Sequence, residues 1–221
     1  MKKVRTHAHR RKVCVDSSMK SVALAFAALG AMGVAGGTYL YASSYEVQAA
    51  SGQNRTTGSI KKVAGWKVQD GRFIDGPYKG FLAESPKRED KVKWTEAEWK
   101  AKLTPEQFRI LRAHGTEAAF CGVFHDHKGK GYYKVVAIDH PVFKSDAKFD
   151  SGTGWPSFFQ PYDMDAIWLK PDYSFGMTRM EVLDSKSDGH LGHVFTDGPS
   201  NKTGLRFCIN SEVLEFVETP E

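Results

Sequence analysis

The sequence predicts a mainly β domain in the second half of the chain, preceded by short helices and, nearer the N-terminus, by an apolar segment. Three observations predict this fold class. Short segments with alternating or β-branched residues recur after residue 115, turn residues separate them, and two helix-capping signals precede them. The 221 residues suffice for one ordinary domain with extensions, and 41% hydrophobic with 26% charged residues is typical of a folded globular protein.

The excess positive charge lies at the N-terminus. Residues 1–20, which we call the basic leader, hold seven lysines and arginines against one aspartate, which makes +6, whereas the whole chain has +5. The remaining residues are therefore nearly balanced in charge. A nucleic-acid binding surface needs basic residues clustered on the folded domain, so we expect no nucleic acid among the partners.

Residues 21–45 contain no charged side chain and are long enough to cross a bilayer as a helix. The basic leader before them predicts that the N-terminus stays in the cytoplasm. We interpret the segment as a transmembrane anchor, with a cleaved signal peptide (small residues at 47–50) or an organelle transit peptide as alternatives. The expected location is a membrane or an exported compartment, first of all a bacterial inner membrane or periplasm. An organelle reached by a cleaved transit peptide is the alternative.

Residues 46–93 are interpreted as a linker and an N-terminal extension. Up to residue 65 they are rich in Ser, Gly, Thr, Gln and Asn, as flexible linkers are. Residues 66–93 mix glycine, proline and charged residues without a motif. We therefore place the folded domain at residues 94–218.

Two helix starts open this domain. Thr95 is followed three residues later by Glu98, which is the capping-box pattern. Thr104 stands before Pro105, an N-cap followed by proline at the first helical position. The apolar residues at positions 108, 110 and 111 would give the second helix one buried face.

After residue 115 the pattern changes to short strands separated by turns. Segments 197–199 and 201–204 combine Asp, Asn, Gly and Pro, which is turn chemistry. Between such turns, β-branched and aromatic residues predict strands. The predicted strands are Tyr132–Ile138, Phe175–Val182, His193–Phe195 and Leu205–Ile209.

Cys208 is the strongest candidate for a reactive group. The chain has only three cysteines and no CxxC pair. Arg206 stands two residues away, and a nearby cation favours the nucleophilic thiolate. In an extended segment, Arg206, Cys208 and Asn210 share one face. The alternative is that Cys208 is a small buried residue of the core.

A histidine pair and a tryptophan loop are further candidates. His190 and His193 are three residues apart, as in some metal sites, but glycine beside them indicates a loop or a strand entry, and no third ligand follows at the usual spacing. Trp155 lies in a loop with two glycines and a proline, residues 150–158, where it could form the wall of an apolar pocket. Histidines satisfied within the fold and a core tryptophan are the alternatives.

Taken jointly, these segments resemble the B-type methionine sulfoxide reductases, which act on the R epimer at sulfur. The order and spacing of the motifs fit over roughly Thr95 to Val217, a little over half of the chain. The resemblance implies a β-rich fold of two antiparallel sheets with short helices at its N-terminal end. The matching segments are 115–117, 151–158, 190–195, 197–199 and 206–211.

The resemblance also implies catalytic roles. Cys208 matches the nucleophile that attacks the sulfoxide sulfur and becomes a sulfenic acid. His190 and His193 match the pair that orients a water and assists protonation of the sulfoxide oxygen. Arg206 matches the residue that helps to hold the cysteine as thiolate, and Asn210 matches a supporting residue of the same pocket.

Substrate and reductant are likewise implied. Trp155 matches the aromatic residue that receives the methyl group of the substrate, and a sulfur-bearing group on an aromatic surface gains about 0.3–1.5 kcal/mol. The substrate would be methionine sulfoxide in peptides or proteins. The family resemblance favours thioredoxin, or a thioredoxin-like domain beyond a membrane, as the electron donor.

The chain departs from the family pattern at the structural zinc that many members bind. None of the four ligand positions is a cysteine here, so we expect no zinc and no other cofactor. The stability that the metal supplies in other members would then come from side-chain packing. The four positions are occupied by Val135, Ile138, Asp184 and Ser187.

The resolving thiol also departs from the pattern. In many members it lies in the tryptophan loop, where this chain has Thr153. We therefore hypothesise that Cys121 is the resolving thiol, since some members use a cysteine near this position. The alternative is that Cys121 is a buried residue without a catalytic role.

Two other functions remain open: a non-catalytic module that binds oxidised protein partners, and a zinc-dependent hydrolase built on His190 and His193.

Overall fold

The computed structural model describes residues 58–219. Twelve strands and two α-helices form in this part of the chain, and most strands have two to six residues. In chain order these elements are β1 (Lys61–Val63), β2 (Trp66–Gln69), β3 (Arg72–Phe73), α1 (Glu96–Lys102), α2 (Pro105–Leu111), β4 (Gly131–Val135), β5 (Pro141–Lys144), β6 (Lys148–Phe149), β7 (Ser157–Phe158), β8 (Ile167–Asp172), β9 (Arg179–Asp184), β10 (His190–Phe195), β11 (Arg206–Ile209) and β12 (Leu214–Glu218).

The strands form antiparallel sheets, so the mainly β class is confirmed. A six-stranded sheet has the order β6-β7-β11-β10-β9-β8, and a three-stranded sheet has the order β12-β4-β5. These are the two sheets that the family resemblance implies. Within residues 58–219 a third, smaller sheet is formed by β1, β2 and β3.

This third sheet corrects the predicted domain boundary. Residues 61–73 were assigned to the linker and extension, yet Val68 and Phe73 are fully buried, and the ring of Phe81 lies 5.7 Å from that of Phe207 in β11. The folded unit therefore begins well before residue 94. Strands of two to four residues are too short to show a period of two in sequence.

The predictions for the N-terminal segments lie outside the described residues. These are the basic leader, the apolar segment 21–45 and the start of the linker. Within residues 58–219, no helix is both long enough and apolar enough to cross a membrane.

The two helices begin where the capping signals predicted. The Thr95 side chain accepts a hydrogen bond from the backbone N–H of Glu98, and the Glu98 carboxylate accepts one from the backbone N–H of Thr95. Thr104 and Gln107 form the same reciprocal pair around Pro105 at the start of α2. The apolar face of α2 is confirmed as well, since residues 110 and 111 are at most 1% exposed.

The two faces of the six-stranded sheet have different roles. Directly paired residues on neighbouring strands place their side chains on the same face. One face packs into the core: Leu169 pairs with Val182, and Phe207 pairs with Phe158, whose ring stacks on Phe143 at 4.4 Å. The opposite face carries polar side chains, and the candidate site lies there.

The strands predicted from Tyr132 and Leu205 begin within one residue of the observed ones, although the first ends at Val135 and not at Ile138. The other two predicted strands differ by three or four residues at their starts. The strand predicted from Phe175 begins only at Arg179, because Phe175 lies in a turn with φ of 54° and is 90% exposed. The strand predicted from His193 already begins at His190. A bulge between His190 and Gly192 interrupts the pairing of β10 with β9 there.

Candidate functional site

A row of paired polar residues crosses the six-stranded sheet. Lys170 in β8 pairs with Glu181 in β9, Glu181 with His193 in β10, His193 with Cys208 in β11, and Cys208 with Ser157 in β7. Because paired residues share a face, the thiol and the imidazole face the same side at adjacent positions. The sheet register therefore brings together residues that are far apart in the sequence.

Cys208 is a free, half-buried thiol. Burial raises the pKa of Cys208 above its usual value, while the charge of Arg206 and hydrogen bonds with Thr153 and Arg206 lower it. Burial has the larger effect. The expected influence of Arg206 thus has the predicted direction, but in this state it does not bring the pKa below that of an ordinary cysteine.

Arg206 is held by a carboxylate that sequence reasoning treated only as part of a turn. Its Nε and one terminal nitrogen donate to the two oxygens of Asp197, both at 2.9 Å. Although burial lowers the pKa of Arg206, Asp197 and Cys208 together raise it above the usual value. The guanidinium is therefore fixed in orientation and permanently charged beside the thiol.

His193 has its own carboxylate partner. Its Nε2 lies 2.7 Å from Asp172, and a terminal nitrogen of Arg179 donates to the same carboxylate at 2.7 Å. Burial lowers the pKa of His193, although the hydrogen bond to Asp172 opposes this. Burial also acts to raise the pKa of Asp172, but hydrogen bonds from Ser174, His193 and Arg179 hold it well below its usual value.

His190 is buried, at 2% exposure. Its Nδ1 lies 2.7 Å from a Glu181 oxygen, and that same oxygen also contacts Nδ1 of His114 at 2.5 Å. Within residues 58–219, Nε2 of His190 is a buried nitrogen without a hydrogen-bond partner. The ring of His190 lies 5.4 Å from that of His193, so the two predicted histidines are neighbours.

Glu117 joins the tryptophan and the asparagine of the site. Trp155 donates its indole N–H to the Glu117 carbonyl at 3.2 Å, and the Glu117 N–H donates to the Asn210 side chain at 3.0 Å. The Glu117 carboxylate accepts from the backbone N–H groups of Ser211 at 2.7 Å and Glu212 at 2.9 Å. Burial nevertheless raises the pKa of Glu117. Sequence reasoning included this residue in a motif but gave it no role.

The tryptophan loop contacts the segment that carries Cys121. The backbone N–H of Phe120 donates to the Gly154 carbonyl at 2.8 Å. Gly154 has φ of 89°, and a Cβ there would lie 2.7 Å from the Phe120 nitrogen, so the close approach requires glycine. Cys121 is half-buried. Thr153, which lies in the tryptophan loop, forms a hydrogen bond with Cys208.

The four positions that correspond to zinc ligands do not fit a zinc ion. Val135 and Ile138 are buried and have no donor atom. Asp184 accepts hydrogen bonds from the backbone N–H groups of Lys186 and Gly189, and from both the backbone N–H and the hydroxyl of Ser187, at 2.6–3.0 Å. Its oxygens are thus already used to close the turn between β9 and β10.

The fold and the site define a β-sheet domain with a thiol-based site, in which one free cysteine lies between an arginine and two carboxylate-bound histidines. The family model described as "SelR domain" matches residues 103–218. The chain belongs to this family.

Relatives at about half identity agree with this assignment. The "Peptide methionine sulfoxide reductase MsrB" of Synechococcus sp. (strain RCC307) is 52% identical over 128 residues, which are 58% of this chain and 93% of the relative. The protein of the same name from Thiobacillus denitrificans is 53% identical over 122 residues, 55% of this chain and 92% of the relative. That from Leptospira interrogans is 51% identical over 125 residues, 57% and 95% of the two chains.

Proposed function

We propose that the domain reduces the R epimer of methionine sulfoxide, in peptides or proteins, to methionine. The observation that carries the proposal is the pairing of Cys208 with His193 across β10 and β11, with Arg206 on the same strand. The names of the relatives described above support the general reaction. Such an activity would repair oxidised proteins.

In the proposed reaction, the Cys208 thiolate attacks the sulfoxide sulfur. The sulfur–oxygen bond breaks, the oxygen passes to the cysteine with one proton, and methionine leaves with two more electrons than the sulfoxide had. Cys208 is oxidised by those two electrons to a sulfenic acid. His190 and His193, together with a water that they orient, would supply the proton to the oxygen, which becomes basic as its bond to sulfur breaks.

The surrounding residues would orient the substrate and the thiol. Trp155 would receive the methyl group of the sulfoxide, and its indole is fixed by the Glu117 carbonyl. Asn210 would support the same pocket, since it is held by Glu117 and by the Leu191 carbonyl. Arg206, held in place by Asp197, would stabilise the Cys208 thiolate and so oppose the effect of burial, which raises the pKa of the thiol.

The sulfenic acid must then be resolved by a thiol, which forms a disulfide and releases water. We propose Cys121 for this step, because its segment contacts the tryptophan loop next to Cys208. A thioredoxin-like dithiol would then reduce the Cys121–Cys208 disulfide. Full turnover with thioredoxin in Cys121→Ser would rule out this assignment.

We further propose that the domain works without a structural zinc or any other cofactor. The turn closed by Asp184 supports this, because hydrogen bonds to its carboxylate hold the chain where two metal ligands would otherwise hold it.

We also propose that residues 21–45 attach the domain to a membrane, or direct its export. The intact chain would then be found with membranes or in an exported fraction, and its recovery solely as a soluble cytosolic protein would contradict this.

The decisive experiment uses the full chain in detergent, with dithiothreitol and the separated epimers of a methionine sulfoxide peptide. Wild type should reduce the R epimer alone, and Cys208→Ser should reduce neither. Lys202→Ala, in an exposed turn before β11, serves as the control and should retain turnover. A folded wild-type protein that reduces neither epimer would exclude the reductase and leave the non-catalytic binding module.

A further inference from the structure

Three possible metal ligands converge beside the thiol site. His114 follows α2, Glu181 lies in β9 and His190 in β10. One ligand atom of each lies within 4.8 Å of the others, and the Nδ1 atoms of both histidines contact the same Glu181 oxygen. The sequence shows no such group, because His114 lies 67 residues before Glu181, and Glu181 meets His190 only through the pairing of β9 with β10.

Two imidazoles and one carboxylate are a ligand set that zinc uses, with a fourth position left for water. The two buried ligands are fixed by their strands: His190 is 2% exposed and Glu181 is 5% exposed. His114 has a side chain that is 51% exposed. It therefore leaves a path for the ion from solvent. The Nδ1 atoms of His114 and His190 lie 2.5 and 2.7 Å from one Glu181 oxygen, so all three side chains must move apart to reach Zn–N distances of about 2.0–2.1 Å.

The charges around the group set the expected strength of binding. Lys170 lies 3.8 Å from the other oxygen of Glu181, and Arg179 contacts Asp172 nearby. These cations oppose a metal ion, whereas the carboxylates attract it. His193 does not belong to the converging group, and its Nε2 contacts Asp172. The arrangement therefore favours reversible binding over a tightly held structural ion.

We propose that His114, Glu181 and His190 bind a first-row transition-metal ion such as Zn²⁺, and that this ion reversibly inhibits the thiol site. The inhibition, though not the binding, rests on the proposed reductase function. In the metal-free state Nδ1 of His190 contacts Glu181, and the metal replaces that contact. The ring of a metal-bound His190 is held by the ion instead of by Glu181, which displaces it from the position it has in the proposed reaction.

Binding is tested with the full chain carrying Cys208→Ser, which removes the catalytic thiolate as a competing ligand. The probes are Zn²⁺ titrated against a chelating indicator and the visible absorption of bound Co²⁺. His114→Asn is the informative variant, since asparagine tolerates the positive φ of 55° at this position but is a poor ligand. It should weaken binding at one site by at least about tenfold.

The matched control is His125→Asn, another half-exposed histidine of the domain that contacts the Gly122 carbonyl. It should leave the zinc affinity of this site unchanged. Comparing the two variants therefore separates zinc bound at this site from zinc bound by other histidines, including those of the basic leader. Equal zinc affinity and stoichiometry in the Cys208→Ser parent and in its His114→Asn variant would overturn the site.

Inhibition is tested separately, with Cys208 present and in excess peptide sulfoxide. Turnover in chelator is measured first for each protein, and inhibition is expressed relative to that rate, because His114 contacts the same Glu181 oxygen as His190. Added Zn²⁺ should inhibit wild type and His125→Asn at concentrations about tenfold below those needed for His114→Asn. Equal inhibition of all three proteins would overturn the inhibitory role. A loss of binding in His114→Asn supports the site even if wild type shows no reductase turnover.

Discussion

Asp197 holds Arg206 by two hydrogen bonds of 2.9 Å and so controls the charge that faces Cys208. The guanidinium lowers the pKa of Cys208, whereas the Asp197 carboxylate raises it. The two residues therefore act on the thiol in opposite directions.

Opposite substitutions at these positions should shift the thiol oppositely. Asp197→Asn should lower the pKa of Cys208 and speed its alkylation by iodoacetamide at neutral pH, because a negative charge is removed. Arg206→Gln should raise the pKa and slow alkylation, because the stabilising cation is lost. The measurement is the pH profile of the alkylation rate, with Cys208→Ser as the blank. Shifts of the same sign in both variants would contradict this account.

Glu117 should make stability depend on pH. Its folded pKa is raised, so its contribution is fully present below the unfolded value of about 4.3 and is lost as the pH rises through the folded pKa. The stability of Glu117→Gln should not depend on pH in this way. Its amide NH2 group would face one of the two backbone N–H donors, which costs about 1–3 kcal/mol. Urea unfolding should find the variant less stable at low pH, and the gap should narrow toward neutral pH. A gap that widens would refute the assigned burial effect.

Asp184 should be essential for the turn between β9 and β10. Asp184→Ala would leave three backbone donors and one hydroxyl without their buried acceptor, which predicts a loss of at least about 3 kcal/mol. Ser187→Ala removes a single donor and should cost about 1 kcal/mol. Excess chelator should leave the Tm of wild type unchanged. A large drop in Tm with chelator would instead indicate a structural metal.

Gly192 should be irreplaceable for steric reasons. A Cβ at this position would lie 2.1 Å from the Cys208 carbonyl oxygen, within the pairing of β10 and β11. Gly192→Ala should therefore cost about 2–4 kcal/mol and misplace the thiol. Gly152→Ala is the control: its Cβ would meet nothing within 4 Å, although its φ of 70° predicts a cost of about 1–2 kcal/mol. Equal denaturation midpoints for the two variants would contradict the steric argument.

Local signals made part of the fold readable from sequence. The capping boxes at Thr95 and Thr104 depend on residues three apart, and both helices start as predicted. The strand around Cys208 was found because its β-branched and aromatic residues lie between clear turns. The sheet of β1–β3 was missed, since its strands have two to four residues and are stabilised by contacts with the rest of the core.

Only part of the candidate site could be predicted from the sequence. Cys208, His190, His193 and Trp155 were visible as motifs, and the sheet brings the thiol and the histidines together. Their carboxylate partners were not visible. Asp172 is 21 residues from His193 and Glu181 is nine from His190, and only the register of β8, β9 and β10 makes them neighbours. Sequence spacing carries no record of such cross-strand pairing.

Because Asp184 closes the turn between β9 and β10 by hydrogen bonds, the stability of this part of the fold does not depend on the redox state of Cys208. A clip made of thiolates would be attacked by the same oxidants that convert methionine to its sulfoxide. A carboxylate held by hydrogen bonds is inert to them. Peroxide can therefore oxidise Cys208 to a sulfenic acid while this corner of the fold stays intact, and a thiol reductant can restore the thiol without any need for the chain to refold.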